Sequence, residues 1–329
     1  MIASARKMCR PKALREQGLT MMELLVTVAI LSLLIAGLSQ LVVTNSQNAS
    51  ATGALARIAD TGRTAMQILA ADARRAGYLG GYDERLGWGF DATESGTLGV
   101  SDNATACVAD TTAWARMLDQ PIFGLNDSAA GYACIADADA EGQYVRGDVL
   151  TVRYTPTPPI DVADMVANKP YLRVTVGERR LFFGSDANDA DNVPERPPWR
   201  DYNLAAHTYF VGATGRTCQG SEIPALFRMS IGANGLPVSQ ELLAGVENLQ
   251  LRYLVGNRYY DADDVPLTGT NWLPVDAVEI SVLVRAECPE AGFDINRTFE
   301  LGDVSYAPED KNFRRQVFTT TTQLRNGIP

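Results

Sequence analysis

No charged side chain occurs between Leu24 and Ala56, and a single carboxylate, Glu23, stands at the mouth of that stretch. Its most apolar part, Leu24–Val43, has the length a helix needs to cross a bilayer: about 20 residues at about 1.5 Å each, against a hydrocarbon core of roughly 30 Å. Arg6, Lys7, Arg10, Lys12 and Arg15 precede it, with Glu16 the one acid among them. Basic flanks stay on the cytoplasmic side, so the N-terminus is predicted in the cytoplasm and the rest of the chain across the membrane. A secretory signal has a shorter apolar region followed by a small-residue cleavage site. In this chain the candidate cleavage residue, Gly18, comes before the apolar run, so the helix is expected to be kept.

The helical pattern continues beyond the apolar run. Leu55, Ile58, Gly62, Ala65, Leu69, Ala73 and Ala76 recur at steps of three and four, one face of an amphipathic helix. Arg57, Asp60, Arg63, Gln67 and Arg74 lie largely elsewhere, and Gly77 with Gly80-Gly81 supplies a stop. One helix over residues 20–76 would be roughly 85 Å long. Its first half suits lipid or a filament core, and its second half needs a sheet to cover its stripe. Gly37, Gly53 and Gly62 are the points where it is expected to bend or melt, since each costs about 1 kcal/mol against alanine.

The remainder reads as strands and loops. Alternation and β-forming residues predict strands at 148–155, 171–176, 180–183, 207–211, 225–231, 246–255, 275–285 and 315–324. Residues 83–118 read as irregular, and 185–199 as an acidic, proline-rich loop. Runs of strands after one long helix imply an α+β fold, with the helix packed on an antiparallel sheet, and not alternating βαβ units. With 46% hydrophobic and 21% charged residues the chain suits a globular ectodomain. The net charge is −10. Residues 1–18 carry five bases and one acid, so a chain without them stands at −14. That acidic balance argues against direct binding of nucleic acid.

Five cysteines are present, and Cys9 precedes Gly18. The other four, Cys107, Cys134, Cys218 and Cys288, are an even number in an oxidising compartment. Pairing of sequence neighbours, Cys107–Cys134 and Cys218–Cys288, is one of three connectivities, and buried free thiols are the other possibility. No Cys-x-x-Cys spacing or histidine cluster points to a metal, and no cofactor is expected.

The order of basic leader, Gly18, Glu23 and apolar run resembles the prepilin leader of type IV pilins and type II secretion pseudopilins. The resemblance implies that a prepilin peptidase cuts after Gly18 and methylates the new N-terminus at Leu19, where phenylalanine is usual. Glu23 then takes the fifth mature position, where the family has its glutamate, and serves assembly. Glu23 also fits a plainer role, because Thr20-Met21-Met22-Glu23 reads as a capping box. Both roles can hold together, but a carboxylate facing hydrocarbon is costly without a partner, and a neighbouring subunit's terminal amine is one.

A narrower likeness, to PilW-type minor pilins, rests on several stretches in order. They are the segments starting Asp72-Ala-Arg-Arg-Ala-Gly, Gly147-Asp-Val-Leu-Thr-Val, Gly245-Val-Glu-Asn-Leu-Gln and Val278-Glu-Ile-Ser-Val-Leu, and the closing Arg314-Arg-Gln-Val-Phe-Thr. The likeness implies a leader at 1–18, a transmembrane and amphipathic helix at 19–76, and a β-rich periplasmic head at 77–329. It implies a single-pass inner-membrane subunit that enters the pilus, with a place at its tip, and partners with other minor and major pilins in initiating assembly. A J-type pseudopilin of type II secretion has the same physics, and an anchored periplasmic binding protein is a further alternative.

Other motifs carry less. Asp137, Asp139 and Glu141, with Asp148 at the twelfth place, echo a calcium loop. The last ligand is Asp where Glu is usual, no flanking helices are evident, and Asp148 reads as opening a strand. Asp186–Asp191 reads as a solvated acidic loop. Arg146-Gly147-Asp148 reads as a turn into the Val149–Tyr154 strand. His207, the only histidine, lacks a nucleophile's context and reads as a strand-edge residue; no enzyme activity is expected.

Overall fold

The computed structural model describes residues 20–80, 97–98, 101–136, 142–175, 178–194, 197–266, 272 and 274–326. One long helix, α1 (Met21–Ala73), opens the described chain, and a short helix, α2 (Ala133–Ala136), follows much later. The first strands are β1 (Ile122–Leu125), β2 (Tyr144–Tyr154), β3 (Pro170–Thr175), β4 (Glu178–Phe183) and β5 (Trp199–Asn203). Next come β6 (Ala205–Cys218), β7 (Ser221–Ile231), β8 (Pro237–Ala244), β9 (Val246–Val255) and β10 (Arg258–Tyr260). The last are β11 (Ala277–Arg285), β12 (Phe299–Leu301), β13 (Val304–Tyr306) and β14 (Arg315–Gln323). The expected α+β arrangement, one long N-terminal helix and then antiparallel sheets, is what the chain forms.

The chain divides into two compact units, one ending at Gly53 and one running from Ala54 to Pro329. The second unit holds every sheet and the last turns of α1. Its main sheets are five-stranded, in the order β1-β2-β6-β7-β8, and four-stranded, in the order β10-β9-β11-β14. A three-stranded sheet, β4-β3-β5, and the β12–β13 hairpin complete it. All paired strands run antiparallel, as short hairpin connections allow.

The central core lies where α1 meets the inner faces of the two larger sheets. Ile58, Ala65, Leu69, Ala73 and Ala76 bury one helix face against Leu150, Val152, Tyr209, Val211 and Leu226 from one sheet. The other sheet contributes Leu249, Leu251, Tyr253, Val278, Ile280 and Val282. The predicted stripe is therefore correct from Ile58 on, whereas Leu55 is exposed. Gly62 does not break the helix. A Cβ at Gly62 would lie 2.2 Å from the Phe318 ring of β14, so the glycine is a notch that lets strand and helix approach.

The five-stranded sheet is covered on its other face too, which is why β2 is buried at consecutive positions. Val149, Phe210, Phe227 and Met229 pack there against Cys107, Trp114, Tyr132 and Ile135 of the segment 104–136. Arg153, buried on this face, donates to the carbonyls of Trp114 (2.6 Å), Gln120 (2.5 Å) and Ala104 (3.0 Å). Burial pulls its pKa down to about 10, so it stays charged at neutral pH. The Tyr132 hydroxyl adds bonds to Thr151 (2.6 Å) and Ala104 O (2.9 Å). An irregular segment thus satisfies its backbone through side chains of β2 where it has no ladder.

Two sulfur pairs tie segments together. Cys107 and Cys134 are bonded at 2.02 Å, and Cys218, at the end of β6, is bonded to Cys288 beyond β11 at 2.06 Å.

Candidate functional site

The first unit offers one feature on which function can be built, the surface of its helix. Thr20 opens α1: Glu23 N–H donates to Thr20 O (3.0 Å) and to Thr20 Oγ1 (3.3 Å), the threonine half of a capping box. The Glu23 carboxylate is exposed and meets no cation or donor among the described residues. An acid in the first turn also suits the positive end of the helix.

Beyond Glu23 the apolar side chains stand open. Leu24, Leu25, Val26, Val28, Ile30, Leu31, Leu33, Leu34, Ile35 and Leu38 are all more than half exposed. This surface does not belong in water. The hydroxyl side chains are turned inward on the helix itself. Thr27 Oγ1 donates to Leu24 O (2.9 Å), Ser39 Oγ to Ile35 O (2.8 Å) and Thr44 Oγ1 to Gln40 O (2.9 Å). Each hydroxyl is satisfied without water, the condition for lying in hydrocarbon or among other helices. Among the described residues α1 is the one helix long and apolar enough to cross a membrane.

A second constellation closes the helix. Asp72, buried, sits one residue before the end of α1 and accepts from Tyr209 Oη (2.6 Å) and Arg75 Nη1 (3.0 Å). His207 Nδ1 lies in close hydrogen-bond contact with Asp72 Oδ2, the oxygen that also accepts from Tyr209. The imidazole packs edge-on against Tyr154 and Tyr209. Burial raises the Asp72 pKa, but the His207 hydrogen bond and charge, then Tyr209 and Arg75, more than offset it and hold the carboxyl below its ordinary value. Burial, and then the Asp72 charge, push the Tyr209 hydroxyl far up, so it remains a donor. The helix end is also capped by backbone and by the C-terminal segment. Gly77, at φ +76°, donates N–H to Arg153 O (3.0 Å), and Asn326 Nδ2 reaches Ala76 O (3.1 Å).

This placement corrects the reading of His207 as a strand-edge residue. It lies in β6, which is flanked by β2 on one side and β7 on the other. The ring's described contacts are Asp72, Tyr154 and Tyr209, so the group fastens helix to sheet. Asp72 is a further member of this group, and the sequence carries a signal for it. Its spacing from Ala65 and Leu69 puts an acid on the apolar stripe, where a charge survives only with partners.

The remaining predicted site residues are scattered. Gly18 and Leu19 lie outside the described residues, as do Asp137, Asp139 and Glu141. Asp148 does not open a strand: β2 begins at Tyr144, and Gly147, at φ +79°, is an irregularity inside it, not a turn before it. A Cβ at Gly147 would lie 2.7 Å from Leu249 O, so β9 passes too close for any side chain there. Both Asp148 oxygens accept from backbone, Asp127 N–H at 2.9 Å and Leu251 N–H at 2.7 Å. Burial pushes this carboxyl up to about 7. Among the described residues no group of three or more His, Cys, Asp or Glu is arranged to hold a metal.

Comparison with known proteins places part of this chain. Residues 208–326, from β6 to just beyond β14, match the family of the type IV pilus-assembly protein W, PilW. The PilW likeness read from the sequence is borne out over that stretch, which supplies β9, β11 and β14 beside the helix. No curated protein matches the sequence. Among solved structures, a type IV-like pilin from Thermus thermophilus is similar at 14% identity and a TM-score of 0.38, over 82% of this chain and 98% of that one.

Proposed function

We propose, with the PilW match of residues 208–326 as premise, that this chain is a minor pilin that helps initiate type IV pilus assembly. The observation that carries the reading is the exposed, charge-free helix surface from Leu24 onward, with Glu23 at its mouth unpartnered among the described residues. In this reading a prepilin peptidase removes residues 1–18 after Gly18, and Leu19 becomes the N-terminus. The apolar half of the helix is held in the inner membrane until it is drawn into a bundle of like helices. Residues 77–329 form the periplasmic head, where the oxidising environment keeps Cys107–Cys134 and Cys218–Cys288 joined. Head contacts with other minor and major pilins set the chain's place in the pilus.

Glu23 has a specific role in this scheme. At the membrane interface of a single chain it stays hydrated. Among packed apolar helices an unpaired carboxylate costs several kcal/mol, and the amine freed at Leu19 of this or a neighbouring chain offsets that cost. Glu23→Val is therefore expected to insert, to be cleaved and to fold, but not to enter pili. Pilus number by electron microscopy and co-purification with other pilins, at matched protein levels, read this out. Unchanged piliation and co-purification would reduce Glu23 to a helix-capping residue.

A further inference from the structure

Each sheet ends in strands that pair on one side only among the described residues, and most of these edges are protected. Strand β10 is three residues long and β1 four. Strand β8 begins at Pro237, carries Glu241 and meets β7 with a register shift. Strand β4 carries Glu178 and Arg180, and β5 carries Arg200. Short length, proline, bulges and charge are the usual guards against edge-to-edge pairing. Strand β14 lacks the first three, and its one charge is held elsewhere. It pairs with β11 over nine residues without a register shift, and among the described residues with no other strand. Its sequence, Arg-Gln-Val-Phe-Thr-Thr-Thr-Thr-Gln, contains no proline. The single charge, Arg315, is turned away into a bidentate pair with buried Glu247 (2.5 and 3.0 Å). Gln316, Thr319, Thr321 and Gln323 are exposed.

We propose that β14 is a strand-addition site and that its occupant is β14 of a second copy of this chain. The sequence is complementary to itself. Antiparallel pairing about a two-fold axis through Thr319 sets Thr319 against Thr319, Phe318 against Thr320, Val317 against Thr321, Gln316 against Thr322 and Arg315 against Gln323. No like charges oppose, the outer pairs Gln316–Thr322 and Arg315–Gln323 are polar, and the central Thr319–Thr319 and Phe318–Thr320 pairs are combinations that stabilise neighbouring strands. The interface is isologous, so it closes at two copies. One nine-residue edge is a small contact, and confinement of both copies to a membrane raises the effective concentration at which it forms. That last point alone rests on the membrane-anchored reading given above.

Register-specific cross-linking tests the proposal in the full chain in its native membranes, with Cys9→Ser to remove the unpaired thiol. Thr319→Cys places the new thiol opposite itself and is expected to give an oxidised dimer. Gln323→Cys is expected to give at least about tenfold less, because the two positions lie about 27 Å apart at about 3.4 Å per residue. Co-expressed Val317→Cys and Thr321→Cys chains are expected to cross-link to each other, which decides the matter if the Thr319 variant fails to accumulate. Equal dimer at 319 and 323, no dimer from 319 and the 317/321 pair, or cross-links only to a different protein would each overturn the second-copy pairing. Fractionation of the same samples reports anchoring separately: a chain found outside the membrane fraction fails the anchored reading whatever the cross-links show.

Discussion

The carboxylate of Asp72 holds the end of α1 to the five-stranded sheet, and its removal should be costly in a calculable way. In Asp72→Ala the Tyr209 hydroxyl, on a residue with no exposed surface, loses its acceptor. The His207 ring loses its partner as well, but it is partly exposed and recovers some bonding from water. An orphaned buried donor costs about 1–3 kcal/mol, so the two together should cost about 2–4 kcal/mol. For a folded unit of this size each kcal/mol moves Tm by roughly 2–4 °C, which predicts a fall of about 5–15 °C. Thermal unfolding of the full chain in detergent, followed by near-ultraviolet circular dichroism, measures it. Tyr209→Phe should cost less, because Arg75 and His207 still hold the carboxylate. The double variant should fall short of the sum by about 1 kcal/mol or more if the two groups act together. The difference between wild type and Asp72→Ala has a pH signature. A carboxyl held below its ordinary 3.8 stabilises the fold above that value, and the contribution is lost as pH falls through the folded-state pKa. A change in Tm below about 2 °C, or strict additivity in the double variant, would refute the view that this cluster fastens helix to sheet.

Two further predictions follow from buried groups. The Asp148 carboxyl, raised from 3.8 to about 7, keeps a proton in the fold that the unfolded chain has lost, so stability should decline as pH rises from about 4 to about 7. The decline amounts to at most about 4 kcal/mol, and Asp148→Asn should flatten it in denaturant titrations across that range. The Cys218–Cys288 bond closes a separation of 70 residues, and its removal by paired serine substitution should cost about 4 kcal/mol in the loop-entropy account. Non-reducing peptide mapping of the protein isolated from cells without reductant that finds both thiols free would contradict it.

What could be read from residues alone followed burial. Strand β9 lies at the expected 246–255, because Leu249, Leu251 and Tyr253 alternate with polar residues and face the core. The β11 prediction, 275–285, is close to the observed span because that strand is buried almost throughout, whereas β14, mostly open, is close to 315–324 because its run Val-Phe-Thr-Thr-Thr-Thr is made of β-forming residues. Strand β8 was missed because an edge strand starting with Pro237 and continuing Val-Ser-Gln-Glu buries little and shows no alternation. Strands β1 and β5 are short, and β5 follows Pro197-Pro198, which reads as loop. Gly62 was read as a point of weakness because helix propensity is local, whereas its reason, the ring of Phe318, lies far along the chain. His207 was misplaced on the same ground: its partner Asp72 is 135 residues away, and only the fold brings them together. The helix surface with Glu23 was legible in full, since exposure of an apolar run needs no distant partner.

The central claim is that this chain is cut after Gly18 and built into a pilus through its apolar helix. Pili sheared from cells and analysed by mass spectrometry test both halves at once. The account predicts that peptides of this chain are present, at low ratio to the major subunit, and that the N-terminal peptide begins at methylated Leu19. Absence of the chain from purified pili, or an N-terminus anywhere other than Leu19, would contradict it.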